Sequence, residues 1–142
     1  MNTVDLKSIM RLFALYSLVS GNEENGQFDG YVSEYLIQVL GPVEKEEYLT
    51  LYNFHKKIYL GRYENKFSSS LGLKAVMIAL QLRAKISLAH KIRIVAFLLS
   101  NKVDLLKYDQ VSDFLHTITL QLGLFERTYS KISEKFLVHL VV

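Results

Sequence analysis

Apolar residues recur at intervals of three, four and seven along most of this chain, and little interrupts them. That period gathers the apolar side chains on one face of a helix, and the face must then be buried. A sheet would need alternation and frequent turn formers, whereas the 142 residues hold one proline and seven glycines. The pattern predicts an all-α fold of about seven helices in an orthogonal or bundle array.

Each predicted helix has its own stripe and stop signals. The first turns Val4, Ile9, Leu12, Phe13, Tyr16 and Val19 inward and breaks at Gly21-Asn22-Glu23-Glu24-Asn25-Gly26. The second buries Phe28, Val32, Tyr35, Leu36, Val39 and Leu40 and stops at Gly41-Pro42, a glycine end followed by a helix-starting proline. Glu44, Glu46 and Glu47 open the third, where the helix dipole favours acids. It buries Tyr48, Leu51, Tyr52, Ile58 and Tyr59 and ends near Gly61. A polar linker, 62–70, closes in three serines suited to cap the fourth helix, which turns Leu73, Val76, Met77, Leu80 and Ala84 inward. Ser87 caps the fifth, with Leu88, Ile92, Val95, Ala96 and Leu99 inward. Val111, Phe114, Leu115, Ile118 and Leu122 line the sixth, and Tyr129, Ile132, Phe136 and Leu140 the seventh.

Three blocks of sequence occur twice in the same order. Arg11-Leu12-Phe13-Ala14-Leu15 returns as Arg93-Ile94-Val95-Ala96-Phe97, and Gly41-Pro42-Val43-Glu44-Lys45 as Gly123-Leu124-Phe125-Glu126-Arg127, both 82 positions later. Val32-Ser33-Glu34-Tyr35-Leu36 returns as Val111-Ser112-Asp113-Phe114-Leu115, 79 positions later. A repeat says how a chain is assembled before any propensity is consulted. We read one domain, 1–142, made of pseudo-repeated three-helix units at 1–61 and 88–142, joined by a connecting segment at 62–87 that holds the fourth helix. Three short helices bury little alone, so the units should pack face to face.

Composition excludes some chemistry. With no cysteine there can be no disulfide, thiolate zinc site or cysteine nucleophile. No apolar run approaches the ~20 residues that span a bilayer. Leu12 to Val19 follows Lys7 and Arg11 as a secretory apolar region would, but Asp5 and the lack of a small-x-small cleavage site favour a buried helix. The apolar end, Phe136 to Val142, suggests a buried last helix or a piece of a longer chain. The net charge of +3 hides a gradient: residues 1–55 carry eight acids against three bases, 56–93 nine bases against one acid, and 94–142 five of each. Opposed acidic and basic faces suit contact with proteins or an acidic surface.

Several motifs together resemble the TerB-like family, named for a tellurite-resistance protein and shared with the N-terminal domain of DnaJ-like co-chaperones. They are Asp29-Gly30-Tyr31-Val32-Ser33-Glu34, Gln38-Val39-Leu40-Gly41, Leu88 to Leu99, Asp109-Gln110-Val111-Ser112-Asp113-Phe114-Leu115 and Gln121-Leu122-Gly123-Leu124. The resemblance implies an all-helical domain of duplicated units with an acidic cluster for a divalent metal. The chain departs from that pattern in six extra polar residues before Asp29, in Leu36 where a further acid is common, and in having no glycine after Asp109.

Asp29, Glu34, Asp109 and Asp113 occupy equivalent places in the two copies. If the copies meet about a pseudo-twofold axis, the four carboxylates could converge on a hard cation, Ca²⁺ or Mg²⁺. First-turn acids also arise simply because the dipole favours them. His55, His90, His116 and His139 are scattered, with no zincin spacing. There is no nucleophile elbow and no phosphate-binding glycine loop. The remaining candidate is the basic segment, Lys56, Lys57, Arg62, Lys66 and Lys74, with Tyr59, Tyr63 and Phe67 nearby.

The expectation is a non-enzymatic helical interaction module, TerB-like, cytoplasmic or membrane-associated through other domains. It would regulate or dock a larger stress-response or transport-associated protein, or neighbouring domains of a longer chain. The alternative is a divalent-metal-responsive domain using the acidic cluster. Nucleic-acid binding through the basic segment ranks third, because charge interleaved with rings can hold single strands but a solvated positive face is commoner.

Overall fold

The computed structural model describes residues 2–20, 26–63, 68–100 and 108–141, with side chains described up to 135 apart from those of 108 and 109. The described residues form seven α-helices and no strand: α1 (Thr3–Val19), α2 (Gln27–Leu40), α3 (Lys45–Arg62), α4 (Ser69–Arg83), α5 (Leu88–Ser100), α6 (Tyr108–Gln121) and α7 (Glu126–Val141). All-α architecture is thus as the periodicity predicts.

Local chemistry sets the helix ends. The Asn2 side chain accepts the Asp5 N–H at 2.9 Å, and Ser68 and Ser87 accept from Leu71 and His90 at 3.2 Å each, satisfying amides that lack a partner in the first turn. Gly123 closes α6 at φ +93°, with the Leu124 N–H on the Thr119 carbonyl at 3.2 Å and its own N–H on Leu120 at 3.0 Å. This is a left-handed helix stop that favours glycine. The space is occupied as well: an added Cβ would lie 3.1 Å from Arg83 Nε.

The centre of the fold is α1. Every residue from Leu12 to Val19 is buried, on all sides of the helix. That segment contains no charge, and its two polar side chains are served: Ser17 donates to the Ala14 carbonyl at 2.7 Å, and the Tyr16 hydroxyl to the Leu98 carbonyl at 3.0 Å. A helix apolar all round can only sit inside. It packs most broadly on α3 and next on α4, while α4 also meets α6, and α5 lies on α6 and α7. An aromatic cluster joins the two halves of the chain: Phe13 lies 5.1 Å from Tyr35 and 4.8 Å from Phe97, and Tyr16 lies 5.1 Å from Phe28 and 6.3 Å from Phe114, centre to centre.

The expected inward faces hold for α2 and α6, but α4 is turned the other way. Its buried residues are Leu71, Ala75, Ile78, Ala79 and Leu82. Leu73, Met77 and Leu80, expected inside, are 61%, 49% and 47% exposed, and Ala84 is exposed too. The reason is that α4 carries two apolar stripes, so its own period cannot choose which one meets α1 and α6. Val4, Ile58 and Leu88 are likewise exposed rather than buried. The side chains of Phe136 and Leu140, and of the rest of the apolar tail, lie outside the described residues.

Candidate functional site

Among the predicted metal ligands, Asp29 is already engaged. It sits in the first turn of α2 and accepts the Tyr52 hydroxyl at 2.6 Å and the Lys56 ammonium at 2.7 Å, one on each carboxylate oxygen. Lys56 also lies 5.3 Å over the Tyr52 ring. Burial first, and the Asp29 carboxylate second, push the Tyr52 phenol far above its ordinary pKa, so it stays a donor. The three residues clamp α2 to α3. Lys56, one of the basic residues expected to meet a partner, is thus joined to Asp29 within the fold. Glu34, on α2, is exposed and faces a groove toward α5. Asp113 is exposed on α6, and the Asp109 side chain lies outside the described residues. Asp29, Glu34 and Asp113 are not brought together: among the described residues no three histidine, cysteine, aspartate or glutamate side chains are placed to share a metal.

The remaining basic residues divide. Lys66 lies outside the described residues, Lys57 is exposed on α3, and Arg62 is exposed in its last turn. Lys74 is half-buried on α4, within electrostatic reach of His55. There it belongs to a group that the linear charge run did not reveal, completed by Arg11 of α1 and His55 of α3. The Arg11 guanidinium donates to Ser8 Oγ at 3.1 Å and Gln81 Oε1 at 3.4 Å, which ties it to α4. His55 stacks on Tyr59 at 5.8 Å, with Phe54 edge-on at 5.5 Å. Burial, and then the charges of Arg11 and Lys74, hold its imidazole below the usual histidine range. Among the described residues no carboxylate forms an ion pair with Arg11, Lys74, Arg62 or Lys85.

A cavity of about 320 Å³ opens between α1 and α4 beside this group, lined by Asp5, Ser8, Arg11, Gln81 and Lys85 with Val4 at its lip. Asp5 is the one acid in that lining and is itself buried in the first turn of α1. Apolar side chains flank the cations. Met77 lies one turn from both Lys74 and Gln81 on α4, and Leu73 and Leu80 continue its stripe. On α3, Phe54 is 57% exposed and Ile58 neighbours both His55 and Arg62. The surface made by α1, α3 and α4 is thus basic at its centre and apolar at its edges. A signal for it does exist in the sequence, since Lys7, Ser8 and Arg11 place polar side chains at helical spacing on the first half of an otherwise largely apolar α1. No protein-family model matches the chain, nor does any curated protein or solved structure.

Proposed function

We propose that this chain is a non-enzymatic, TerB-like interaction module whose α1–α3–α4 surface docks an acidic amphipathic segment of a protein partner or of a neighbouring domain. The observation that carries the reading is that Arg11 of α1, hydrogen-bonded to Gln81 of α4, and Lys74 of α4 both act electrostatically on His55 of α3, and neither cation has a carboxylate partner among the described residues. Like charges brought together repel, and an incoming anion relieves that repulsion. The exposed Leu73, Met77, Leu80, Phe54 and Ile58 give such a segment an apolar face to bury. Patches of this kind on a folded domain mark interaction sites. The TerB-like part of the reading rests on the sequence motifs, and no described residue contradicts the all-helical fold they imply.

The test is calorimetric titration with a helical peptide that carries glutamates beside one leucine stripe, against a peptide in which lysine replaces each glutamate. The acidic peptide should bind and the basic one should not. Arg11→Glu combined with Lys74→Glu should weaken binding by about tenfold or more, the scale of losing charge-assisted contacts. Equal binding of both peptides, or no effect of the double substitution, overturns the proposal. Tighter binding of a single-stranded oligonucleotide than of the peptide would replace it with the nucleic-acid reading.

A further inference from the structure

A second groove, remote in character from the basic surface, runs between α2 and α5, where the two halves of the chain meet. It encloses about 490 Å³ against Tyr35 and Gln38 of α2 and Ile92, Arg93, Ala96 and Phe97 of α5. An extension of about 250 Å³ continues past Tyr35 and Gln38 to Tyr31 and Glu34. Small side chains make the room: Ala89 and Ala96 stand two turns apart on the same side of α5, and Ala89 also lines the groove. Volumes of this order hold small organic ligands.

The groove contains an unanswered polar group. Tyr35 is 3% exposed, its ring is packed against Phe13 and Phe97 at 5.1 and 5.3 Å, and its hydroxyl has no hydrogen-bond partner among the described residues. It lines both the main groove and the extension. Buried hydroxyls are almost always paired, because an unpaired one has given up its water for nothing. Desolvation pushes the phenol up to about 12, against the opposing pull of Arg93, so at neutral pH it is a donor in search of an acceptor. Arg93 is exposed, sits within electrostatic reach of that hydroxyl, and is in no ion pair among the described residues. Two unmatched donors, one neutral and one cationic, thus stand at the edge of an apolar trough. Glu34 lies at the other end and sets the polarity: an anionic head belongs beside Arg93 and not beside Tyr31.

We propose that the α2–α5 groove binds a small amphipathic carboxylate, its head accepting hydrogen bonds from Tyr35 and Arg93 and its apolar body lying on Ile92, Ala96 and Phe97. The ligand class is a monocarboxylate with an aliphatic or aromatic body. Phosphate alone does not suit the site, since it would leave the apolar wall uncovered. This inference stands apart from the docking surface on α1, α3 and α4, and either can fail without the other.

The experiment follows backbone amide shifts of the full chain during titration with octanoate, phenylacetate, octylamine and inorganic phosphate. Octanoate or phenylacetate should saturate at millimolar concentration or below, with shifts confined to α2 and α5. The relative affinity of the two distinguishes an aliphatic from an aromatic body. Arg93→Gln should weaken carboxylate binding by about tenfold, and Tyr35→Phe by several-fold. Tyr35→Phe should leave the melting temperature unchanged or raise it, because it removes an unpaired buried hydroxyl. That control keeps the test free of folding effects. Failure of both carboxylates to saturate, equal binding of octylamine, binding of phosphate alone with the same shifts, or indifference to Arg93→Gln would each overturn the proposal. A clear loss of stability in Tyr35→Phe would overturn it too, since the hydroxyl would then serve the fold.

Discussion

His55 stands between Phe54 and Tyr59, with Arg11 of α1 and Lys74 of α4 close enough to act on its imidazole. Its pKa is lowered in the folded chain, so the unfolded chain binds the proton more readily. Protonation therefore favours unfolding. The contribution of this residue is complete above about pH 6.5, the unfolded value, and is lost as pH falls through the lower folded value. Urea midpoints measured across that window should decline toward acid, and His55→Gln should flatten the decline. An identical slope in the variant would show that other groups carry it. Occupation of the surface by an acidic peptide should raise the His55 pKa, which its imidazole resonances report directly. Asp29 makes a contrasting case at the same scale. The type and position of this residue suggested a ligand, whereas the folded chain gives its two oxygens to Tyr52 and Lys56. A carboxylate in the first turn of a helix looks the same in sequence whether it awaits a metal or holds a neighbouring helix.

At the scale of the element, α4 is the instructive case. Its two apolar stripes differ little in composition, and the one chosen for burial, Leu71, Ala75, Ile78, Ala79 and Leu82, has the smaller side chains at two positions. Alanines let α4 approach α1 closely, and the bulky Leu73, Met77 and Leu80 are left to solvent or a partner. Two sets of substitutions separate these roles. Leu71→Ala or Ile78→Ala should cost about 2–5 kcal/mol by chemical denaturation, as buried truncations do. Leu73→Gln, Met77→Gln and Leu80→Gln should each stay within about 0.5 kcal/mol of the parent, as exposed substitutions do. The reverse ranking would mean that the exposed stripe is the one packed. Helix ends, by contrast, were readable: Ser68 and Ser87 cap where the serines predict, and Gly41 and Gly123 stop α2 and α6 at positive φ. Caps depend on atoms within a few residues of one another, which is why local sequence suffices for them.

Across the whole molecule, the halves are tied through α1. The Tyr16 hydroxyl reaches the Leu98 carbonyl in the last turn of α5, where helix carbonyls lack partners in their own helix. The Phe13–Phe97 and Tyr16–Phe114 ring pairs cross between the halves as well. Such cross-contacts make separate melting of the halves unfavourable. Helical circular dichroism and tyrosine fluorescence should report one coincident unfolding transition, and residues 1–87 alone should not unfold cooperatively. Tyr16→Phe should destabilise the whole by about 1–2 kcal/mol without splitting that transition. Two resolved transitions in the parent chain would refute the tie. Among the described residues no helix is long and apolar enough to cross a membrane.

Periodicity, stop signals and the uncharged run from Leu12 to Val19 determined the helices, their ends and the burial of α1, because each depends on spacing within one segment or on the cost of wetting an apolar surface. Which stripe of α4 turns inward was decided only when α1 and α6 took their places against it. The same holds for the sites. Lys56 and Lys74 read alike in a basic run, yet packing gave one to Asp29 and set the other beside Arg11 and His55. Tyr35 reads as one more inward aromatic residue, and only the neighbours of its hydroxyl mark it out. A sequence carries the type and period of its side chains; whether a polar group is answered depends on what distant segments bring within three ångströms of it, about one hydrogen-bond length.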